Sequence, residues 1–466
     1  MSVFVVGIDM TIVNVALPVI QHSLNASVSG LQWTIDVYAL TIACLLLASG
    51  SMADRLGRRR AFQAGLVLFS TGSLLCSLAP SLGWLIAFRG VQAVGGSLLN
   101  PVAMAIVVNV FPEPKARARA IGVWGSVAGL SLAAGPVLGG FLVSGLGWRS
   151  IFWINVPVGI AAIALTQRFV PESRAARPRG LDPLGQALVA LLLVSTTAAI
   201  IEGPRLGWDS EPIIALLASA AASAAALLAA ESRHREPLID MRLFGNPPFC
   251  GAVLLALATS ANLSGFLFLN TLYLQNVRGD SALGAGARTV PMAIALAVFA
   301  TVSGRLVAAK GPRLPLTLAS ALLTAGALMF LRLDAHTPFA YLVGAYIIIG
   351  AGFGLVTGPV NNIAMSQMPA DQAGMAGALT STGRQFGTAA GVAVTGSIIA
   401  TQADTAFVAA SHAAWSAIAG CAAAMLGAGI VATSRWATQA AQRNSELRFP
   451  SPHTATTPAD APSPSE

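Results

Sequence analysis

Apolar segments, each long enough to cross a lipid bilayer, follow one another along almost the whole chain. A membrane-spanning helix needs about 20 predominantly apolar residues. The 466-residue chain is 55% hydrophobic and only 10% charged, against roughly 25% charged residues in a typical soluble domain. A soluble globular protein would lack the polar surface needed to cover such a core, and a disordered chain would be richer in charge. The sequence therefore predicts a polytopic membrane protein.

The spacing of the apolar segments predicts about fourteen spans, at about 20 residues per helix plus a short loop. The predicted spans are 1–21, 31–52, 61–79, 83–110, 120–145, 151–167, 183–202, 212–231, 248–275, 285–306, 312–332, 337–365, 373–402 and 411–433. Basic loops follow the sixth and the eighth spans, so the seventh and eighth stand apart from two sets of six. The predicted domains are an N-terminal six-helix bundle at 1–167, two inserted transmembrane helices with flanking cytoplasmic loops at 168–247, a C-terminal six-helix bundle at 248–433 and a disordered cytoplasmic tail at 434–466.

The basic residues are concentrated in alternate loops. When the N-terminus is placed in the cytoplasm, most of the 27 Lys and Arg residues fall on the cytoplasmic side, as the positive-inside rule requires. The even number of spans then places both termini in the cytoplasm. Topology thus explains the formal net charge of +8, and we expect no binding to nucleic acid.

Two loops of the chain share a Gly/Arg pattern. The first is Gly50-Ser-Met-Ala-Asp54-Arg55-Leu-Gly57-Arg58-Arg59, and the second is Gly304-Arg-Leu-Val-Ala-Ala-Lys-Gly311-Pro-Arg313. Both fit G-x6-G-x-R and follow the second span of their predicted bundle. A weak repeat in matching positions indicates two related halves, and the shared composition of Gly/Arg loops is the alternative explanation.

The first of these loops resembles the signature loop of the major facilitator superfamily. The residues that carry the resemblance are Gly50, Asp54, Arg55, Gly57, Arg58 and Arg59. The glycines permit a tight turn and close helix approach. We expect Asp54 either to cap a helix N-terminus or to pair with an arginine of a neighbouring helix. We interpret the loop as a cytoplasmic gating clamp, and a plain positive-inside anchor is the alternative.

Three intramembrane stretches resemble the fourteen-helix drug:proton antiporter branch of this superfamily. They are Asp9-Met-Thr-Ile-Val-Asn14-Val-Ala-Leu-Pro18, Arg89-Gly-Val-Gln92-Ala-Val-Gly95-Gly96 and Ala134-Gly135-Pro136-Val-Leu-Gly139-Gly140. The resemblance covers essentially the whole chain except the tail. The third stretch is typical of antiporters rather than symporters, and it implies a hinge at Gly135, Pro136, Gly139 and Gly140. Ordinary packing of small residues between membrane helices is the alternative.

A few ionisable side chains lie within the predicted spans and are candidates for the transport machinery. Such groups cost roughly 2.5–3.5 kcal/mol at a helix centre and usually pair or face water. The candidate proton-coupling or substrate-binding residues are Asp9, Asp36, Arg89 and Arg384. A carboxyl between a desolvating environment and an arginine is suited to take up and release a proton. The resemblance implies that Arg89 assists this transfer.

Alternatives remain open for both carboxylates. Asp36 is also consistent with a boundary residue exposed to water. Asp9 is also consistent with a polar helix-packing contact to Asn14. Either residue is otherwise expected to bind the proton or a cationic drug.

The sequence argues against an enzyme. Its only two lysines, Lys115 and Lys310, do not lie in a phosphate-binding G-x4-G-K-[ST] loop, and no convergent nucleophile or metal-ligand set is recognisable. We therefore expect no cofactor, with a proton gradient as the energy source.

The predicted fold is an all-α major facilitator fold with two six-helix bundles and two inserted central helices. The predicted function is proton-coupled export of drugs or other amphipathic or cationic small molecules by alternating access. The expected location is the bacterial cell (inner) membrane, with a small-molecule substrate, protons and lipid as partners and a monomer as the working state. The alternatives are a dedicated exporter of a natural product made by the host and, in a different class, a non-transporting membrane scaffold or sensor.

Overall fold

The computed structural model describes residues 1–174, 180, 182–233, 238–365, 373–400 and 407–448, and its regular structure is helical. The α-helices are α1 (Ser2–Leu24), α2 (Val28–Leu56), α3 (Arg58–Ser77), α4 (Leu82–Val110), α5 (Pro114–Leu146), α6 (Ser150–Trp153), α7 (Asn155–Phe169), α8 (Pro183–Leu206), α9 (Glu211–Glu231), α10 (Pro247–Leu272), α11 (Ala282–Arg288), α12 (Val290–Lys310), α13 (Arg313–Phe330), α14 (Phe339–Met365), α15 (Ala373–Ala400), α16 (Phe407–Ala432) and α17 (Arg435–Arg448). A short 3-10 helix (Met241–Gly245) precedes α10, and a π-helical turn (Tyr273–Val277) follows it.

Twelve helices in the described part of the chain are long and apolar enough to cross a membrane. The sequence predicted fourteen spans, and that number is not confirmed. The predicted spans at 61–79 and 373–402 coincide with α3 and α15, which are 20 and 28 residues long but are not among the twelve. The physical reason is their composition, because α3 begins with three arginines and α15 is rich in Gly, Ser and Thr.

The helices pack as two bundles with a pair of helices beside them. In the N-terminal bundle (α1–α7), α4 packs against α2 and α3, and α1 packs against α5. In the C-terminal bundle (α10–α16), α10 packs against α15 and α16, and α14 packs against α12 and α13. Helices α8 and α9 pack on each other, and α8 contacts both α2 and α15. The α8–α9 pair therefore lies where the two bundles meet.

The first part of the predicted disordered tail is helical. Residues Arg435–Arg448 form α17, and Ala437 and Ala441 are buried one turn apart on the same face. This face is apolar enough to pack, which explains why the segment is ordered. Residues 449–466 lie outside the described residues, as do Arg177, Arg179 and Arg235 of the predicted basic loops.

The two bundles touch closely toward the end of the molecule at which α1 ends and α2 begins. We call this end the far face, and the end that carries Arg55 to Arg60 the Arg-rich face. Gln32 Nε2 of α2 donates to the backbone oxygens of Val392 and Ala393 in α15, at 3.2 and 2.8 Å. These two hydrogen bonds from the Gln32 side chain join one bundle to the other. We call this buried contact between α2 and α15 the seam.

Along helix α5, the contact with the C-terminal bundle is close at one end only. A Cβ atom built on Gly140 would lie 2.5 Å from the backbone oxygen of Ala282 in α11, so the two backbones are in direct contact near the far face. A Cβ built on Gly122, Gly125 or Gly129, in the half nearer the Arg-rich face, meets no atom within 4 Å. A groove of about 580 Å³ lies along this half of α5. Along α5, the described conformation is therefore closed toward the far face and open toward the Arg-rich face.

Candidate proton-coupling and substrate sites

Asp9 and Arg89 form a buried ion pair inside the N-terminal bundle. Arg89 Nη1 donates to Asp9 Oδ2 at 2.6 Å, and the two side chains are 2% and 0% exposed. Asp9 lies on α1 and Arg89 on α4, so the pair depends on the packing of two separate helices. Either charge alone would be costly at this depth, because water is excluded and no other described ion pair includes it.

Neutral polar groups complete the hydrogen bonding of the pair. Gln92 lies one turn after Arg89 and therefore on the same face of α4. Its side chain accepts from Arg89 Nη1 at 2.7 Å and donates to Asp9 Oδ1 at 2.8 Å. Asn155 of α7 also donates to Asp9 Oδ1, at 3.1 Å, and Ser73 Oγ of α3 accepts from Gln92 at 2.7 Å. We call Asp9, Ser73, Arg89, Gln92 and Asn155 the polar network.

The remaining part of the Arg89 guanidinium contacts α2. Arg89 Nε donates to the backbone oxygen of Thr34 at 3.3 Å, and Arg89 Cζ lies 4.1 Å from the centroid of the Tyr38 ring. This is a cation–π distance. The Tyr38 hydroxyl is buried and has no hydrogen-bond partner among the described residues. Arg89 therefore links α2 to the carboxylate on α1.

The structure thus brings together two of the four candidate residues, Asp9 and Arg89. The Asn14 amide donates to the backbone oxygen of Met10 at 3.2 Å rather than to Asp9, so the contacts of Asp9 are not those of a packing pair with Asn14. Gln92 and Asn155 were missed as functional residues, although the spacing of Gln92 from Arg89 was a usable signal. Ser73 carried no signal beyond its polarity.

Asp36 lies apart from the polar network, on α2. Its side chain is 0% exposed, and neither carboxylate oxygen has a hydrogen-bond partner within the described residues. It stands one turn after Gln32, and therefore on the face of α2 that packs against α15. Burial contradicts the alternative that Asp36 is a boundary residue exposed to water.

Arg384 lies in the C-terminal bundle, on α15, away from the other three candidates. Arg384 Nη1 donates to Asn361 Oδ1 of α14 at 3.0 Å, and Arg384 Nη2 donates to Ser381 Oγ at 3.2 Å. None of the ion pairs found between described residues includes Arg384. Its hydrogen-bond partners are therefore neutral, unlike those of Arg89.

The turn of the Arg-rich loop is held by an ion pair across it. Gly57 joins α2 to α3 with a φ of +104°, a conformation that favours glycine. Arg58, the first residue of α3, donates to Asp54 Oδ1 through Nη2 and Nε, at 2.9 and 3.1 Å. Of the two roles expected for Asp54, the structure shows pairing with an arginine and not capping of α3.

A carboxylate that the sequence analysis missed holds the same loop. Glu172, just after α7, accepts from the backbone N–H of Arg59 at 3.1 Å. A Cβ on Gly57 would lie 2.7 Å from Glu172 Oε1, so the carboxylate packs directly on the turn. Gly50 lies inside α2 with no atom within 4 Å of a built Cβ, and Arg55 is exposed.

The glycines of the predicted hinge lie in close helix contacts. Helix α5 continues through Pro136. A Cβ on Gly135 would overlap Thr11 Oγ1, and a Cβ on Gly139 would lie 2.7 Å from Ile12 Cγ1. Gly135 and Gly139 thus let α5 pack closely on α1, as the packing alternative describes. Gly140 contacts α11 of the other bundle.

The helical architecture and the comparisons with known proteins define the class of this protein. The family model described as Major Facilitator Superfamily matches residues 1–392, and the chain belongs to that family. The fold is similar to the crystal structure of the D-xylose-proton symporter, with a TM-score of 0.66 over 92% of this chain and 94% of that chain. At 14% identity this likeness concerns the fold alone. The protein is therefore a membrane transporter rather than an enzyme.

Two curated relatives carry names from drug resistance. The chain is 37% identical over 400 residues to the multidrug resistance protein Stp of Mycobacterium tuberculosis, covering 86% of this chain and 74% of the relative. It is 34% identical over 399 residues to the methylenomycin A resistance protein of Streptomyces coelicolor, covering 85% of this chain and 83% of the relative.

Proposed function

We propose that this protein is a proton-coupled exporter of drugs or other amphipathic and cationic small molecules that works by alternating access. The names of its relatives support drug export. The observation that carries the coupling is the buried Asp9–Arg89 pair, whose remaining hydrogen bonds are made by neutral groups on three helices. Such a pair changes its net charge when a single proton arrives.

Protonation of Asp9 removes one member of the ion pair. Arg89 then keeps the Gln92 amide, the Thr34 carbonyl and the Tyr38 ring as neutral partners, which do not cancel a buried charge. Breaking a buried pair in this way costs about 3–5 kcal/mol. That free energy is available to repack α1 against α4 and to shift a two-state equilibrium between the bundles.

Asp36 provides a second place for a proton or a cationic group. Its carboxyl lies where α2 meets α15, so its charge state acts directly on the seam between the bundles. A charged carboxylate without partners is costly there, whereas a neutral carboxyl is tolerated. Opening of the seam toward the far face would admit water and let the carboxyl ionise or pair with a cationic substrate.

We assign the Arg-rich face to the cytoplasm because basic residues concentrate there. The described conformation is then the one open to the cytoplasm and closed to the outside. We further propose that α3 and α15 also cross the membrane, since each packs along a candidate span, α4 and α10 respectively. That gives fourteen spans, with α8 and α9 as the inserted pair, as in the drug:proton antiporter branch. The protein would work as a monomer in the bacterial cell membrane.

Transport in proteoliposomes tests this function. The purified full chain is expected to move a cationic dye such as ethidium against its gradient when a pH gradient is imposed, and to release protons in exchange. The Asp9→Asn variant should lose the proton-driven component. Glu202→Gln is the matched control, because Glu202 is a carboxylate at the far face that bonds Trp33 and Arg205. Dye transport that ignores the pH gradient, or a fully active Asp9→Asn variant, would refute the coupling mechanism.

A dedicated exporter of one natural product is the second candidate. The observation in its favour is that one similar relative is named for resistance to a single antibiotic, methylenomycin A. A panel of chemically distinct compounds separates the two. Drug:proton exchange with several chemically unrelated compounds supports a multidrug exporter. Exchange with a single compound class supports a dedicated exporter.

A further inference from the structure

Arg384 is a cation near the middle of α15 without a carboxylate partner among the described residues. Arg89 offers the comparison within the same chain, since it has a carboxylate at 2.6 Å and is 2% exposed. Arg384 instead bonds an amide oxygen and a hydroxyl. A guanidinium has five N–H donors, so these two bonds leave donors available. Arg384 is also only partly buried, and Asn361, to which it bonds, is exposed.

Arg384 lies on the side of α15 that packs on α10. Gly387 and Gly391 contact the backbone of α10, and Gly396 lies against Gln32 of α2. Arg384 precedes Gly387 and Gly391 by three and seven residues and therefore lies on their side of α15 rather than on the side of Gly396. Its bond to Asn361 directs the guanidinium toward α14.

Exposed polar residues meet Arg384 on this side. Asn361 and its neighbour Asn362 are both exposed although they lie in a candidate span, and Ser381 is partly exposed. Exposed amides and a cation in a span mark a water-filled space rather than lipid. Helix α14 ends and α15 begins at the Arg-rich face, so this space opens toward the side from which an exporter takes its substrate.

We propose that Arg384 is the residue that recognises an anionic group on the substrate, so that the transporter accepts amphipathic compounds bearing a carboxylate or a similar acidic group. A planar guanidinium binds a carboxylate through two parallel hydrogen bonds. Asn361 and Ser381 hold the side chain in place and leave donors for the ligand. The inference rests on the proposed function, and it adds a substrate class to the cationic compounds expected from Asp36.

A matched pair of dyes tests this assignment in proteoliposomes containing the full-length protein. Rhodamine 123 is a cationic methyl ester, and rhodamine 110 is the corresponding free acid. We expect Arg384→Gln to lower transport of rhodamine 110 by about tenfold or more, a change equivalent to about 1.4 kcal/mol, and to leave rhodamine 123 within about twofold. Arg384→Lys keeps the charge but not the bidentate fork, and should fall between the wild type and Arg384→Gln. Arg305→Gln removes an exposed arginine of α12 and serves as the control.

The outcomes separate the inference from the function on which it rests. Selective loss of rhodamine 110 transport supports it. If the wild-type protein transports rhodamine 123 but not rhodamine 110, the anion-site inference is overturned and drug export stands. The same conclusion follows if Arg384→Gln and Arg384→Lys lose transport of both dyes equally. A wild-type protein that moves neither dye in a pH gradient counts against drug export itself and against the anion site. Retained rhodamine 123 transport shows that a variant is folded.

Discussion

Gly140→Ala should shift the transporter away from the conformation that is closed toward the far face. The new Cβ would lie 2.5 Å from the Ala282 backbone oxygen, where ordinary contact begins at 3.4 Å. Because a backbone carbonyl cannot rotate away, α5 and α11 must separate by several tenths of an ångström. Overpacking of this kind costs about 1–3 kcal/mol, which corresponds to an about 5- to 150-fold shift in a two-state equilibrium.

The seam between Gln32 and Val392 reports on this shift at a distance from the mutation. Cysteines placed at these two positions, in a background without the native cysteines, should be joined efficiently by a short bifunctional thiol reagent in the wild-type protein. Gly140→Ala should lower the cross-linking yield severalfold. Gly129→Ala lies on the same helix, where a Cβ meets no atom within 4 Å, and should leave the yield unchanged.

Two results would refute this reasoning. An unchanged yield in Gly140→Ala would mean that the α5–α11 contact does not control the seam. An equal drop in Gly129→Ala would mean that any added methyl group on α5 disturbs the protein. The experiment does not depend on knowing the substrate.

Three further predictions concern the charged groups and the Arg-rich loop. Asp9→Asn leaves Arg89 buried without a counter-charge and should lower the free energy of unfolding in detergent by about 3–5 kcal/mol. Adding Arg89→Gln to this variant should restore much of the lost free energy of unfolding without restoring efflux. An additive loss in the double variant would argue against an energetic coupling of Asp9 and Arg89. Asp36→Asn should abolish proton-driven efflux while the melting temperature stays within a few degrees of wild type, because no hydrogen bond to the carboxylate is lost; full efflux would exclude Asp36 from coupling. Gly57→Ala should destabilise the protein by about 1–3 kcal/mol, because φ at Gly57 is +104° and a Cβ there would meet Glu172. Equal melting temperatures for Gly57→Ala and Gly50→Ala would contradict this prediction.

The positions of most helices could be predicted from hydropathy because membrane crossing imposes a length. The predicted span 83–110 corresponds to α4 (Leu82–Val110), and 183–202 corresponds to α8 (Pro183–Leu206). The number of apolar spans was less certain, since α3 begins with three arginines and α15 is rich in Gly, Ser and Thr, which lowers their mean hydropathy. The short helix α17 was missed because its sequence is polar and lacks a span-length apolar run.

The contacts within the candidate site could be predicted only in part. A charged residue is conspicuous within an apolar span, so Asp9 and Arg89 could be identified from the sequence. Their partnership could not be derived, because the two residues lie 80 positions apart and the sequence does not show which face of each helix is inward. Glu172 was missed for a related reason, since it looks like an ordinary loop carboxylate until the turn at Gly57 packs against it.

The corresponding interiors of the two bundles differ in chemistry although helices in the same order along each bundle enclose them. In the N-terminal bundle, α1, α3, α4 and α7 supply the polar network. In the C-terminal bundle, the helices that take the same order supply a buried aromatic cluster, namely Phe266 of α10, Phe330 of α13, Tyr346 of α14 and Trp415 of α16. The ring centroids of Phe330 and Trp415 lie 4.7 Å apart, and Phe266 packs edge to face on Phe330 with 5.2 Å between the ring centroids.

This difference bears on how a proton could move the whole protein. Tightly packed aromatic rings have no charge to gain or lose, and close packing resists small rearrangements. The C-terminal bundle is therefore suited to act as a rigid body, whereas a proton on Asp9 upsets the charge balance inside the N-terminal bundle. The change must then reach the rigid bundle through the contacts between them, which include Gln32 on α15 and Gly140 on α11. In the proposed mechanism, such contacts are where a proton-driven change in one bundle becomes a change in access.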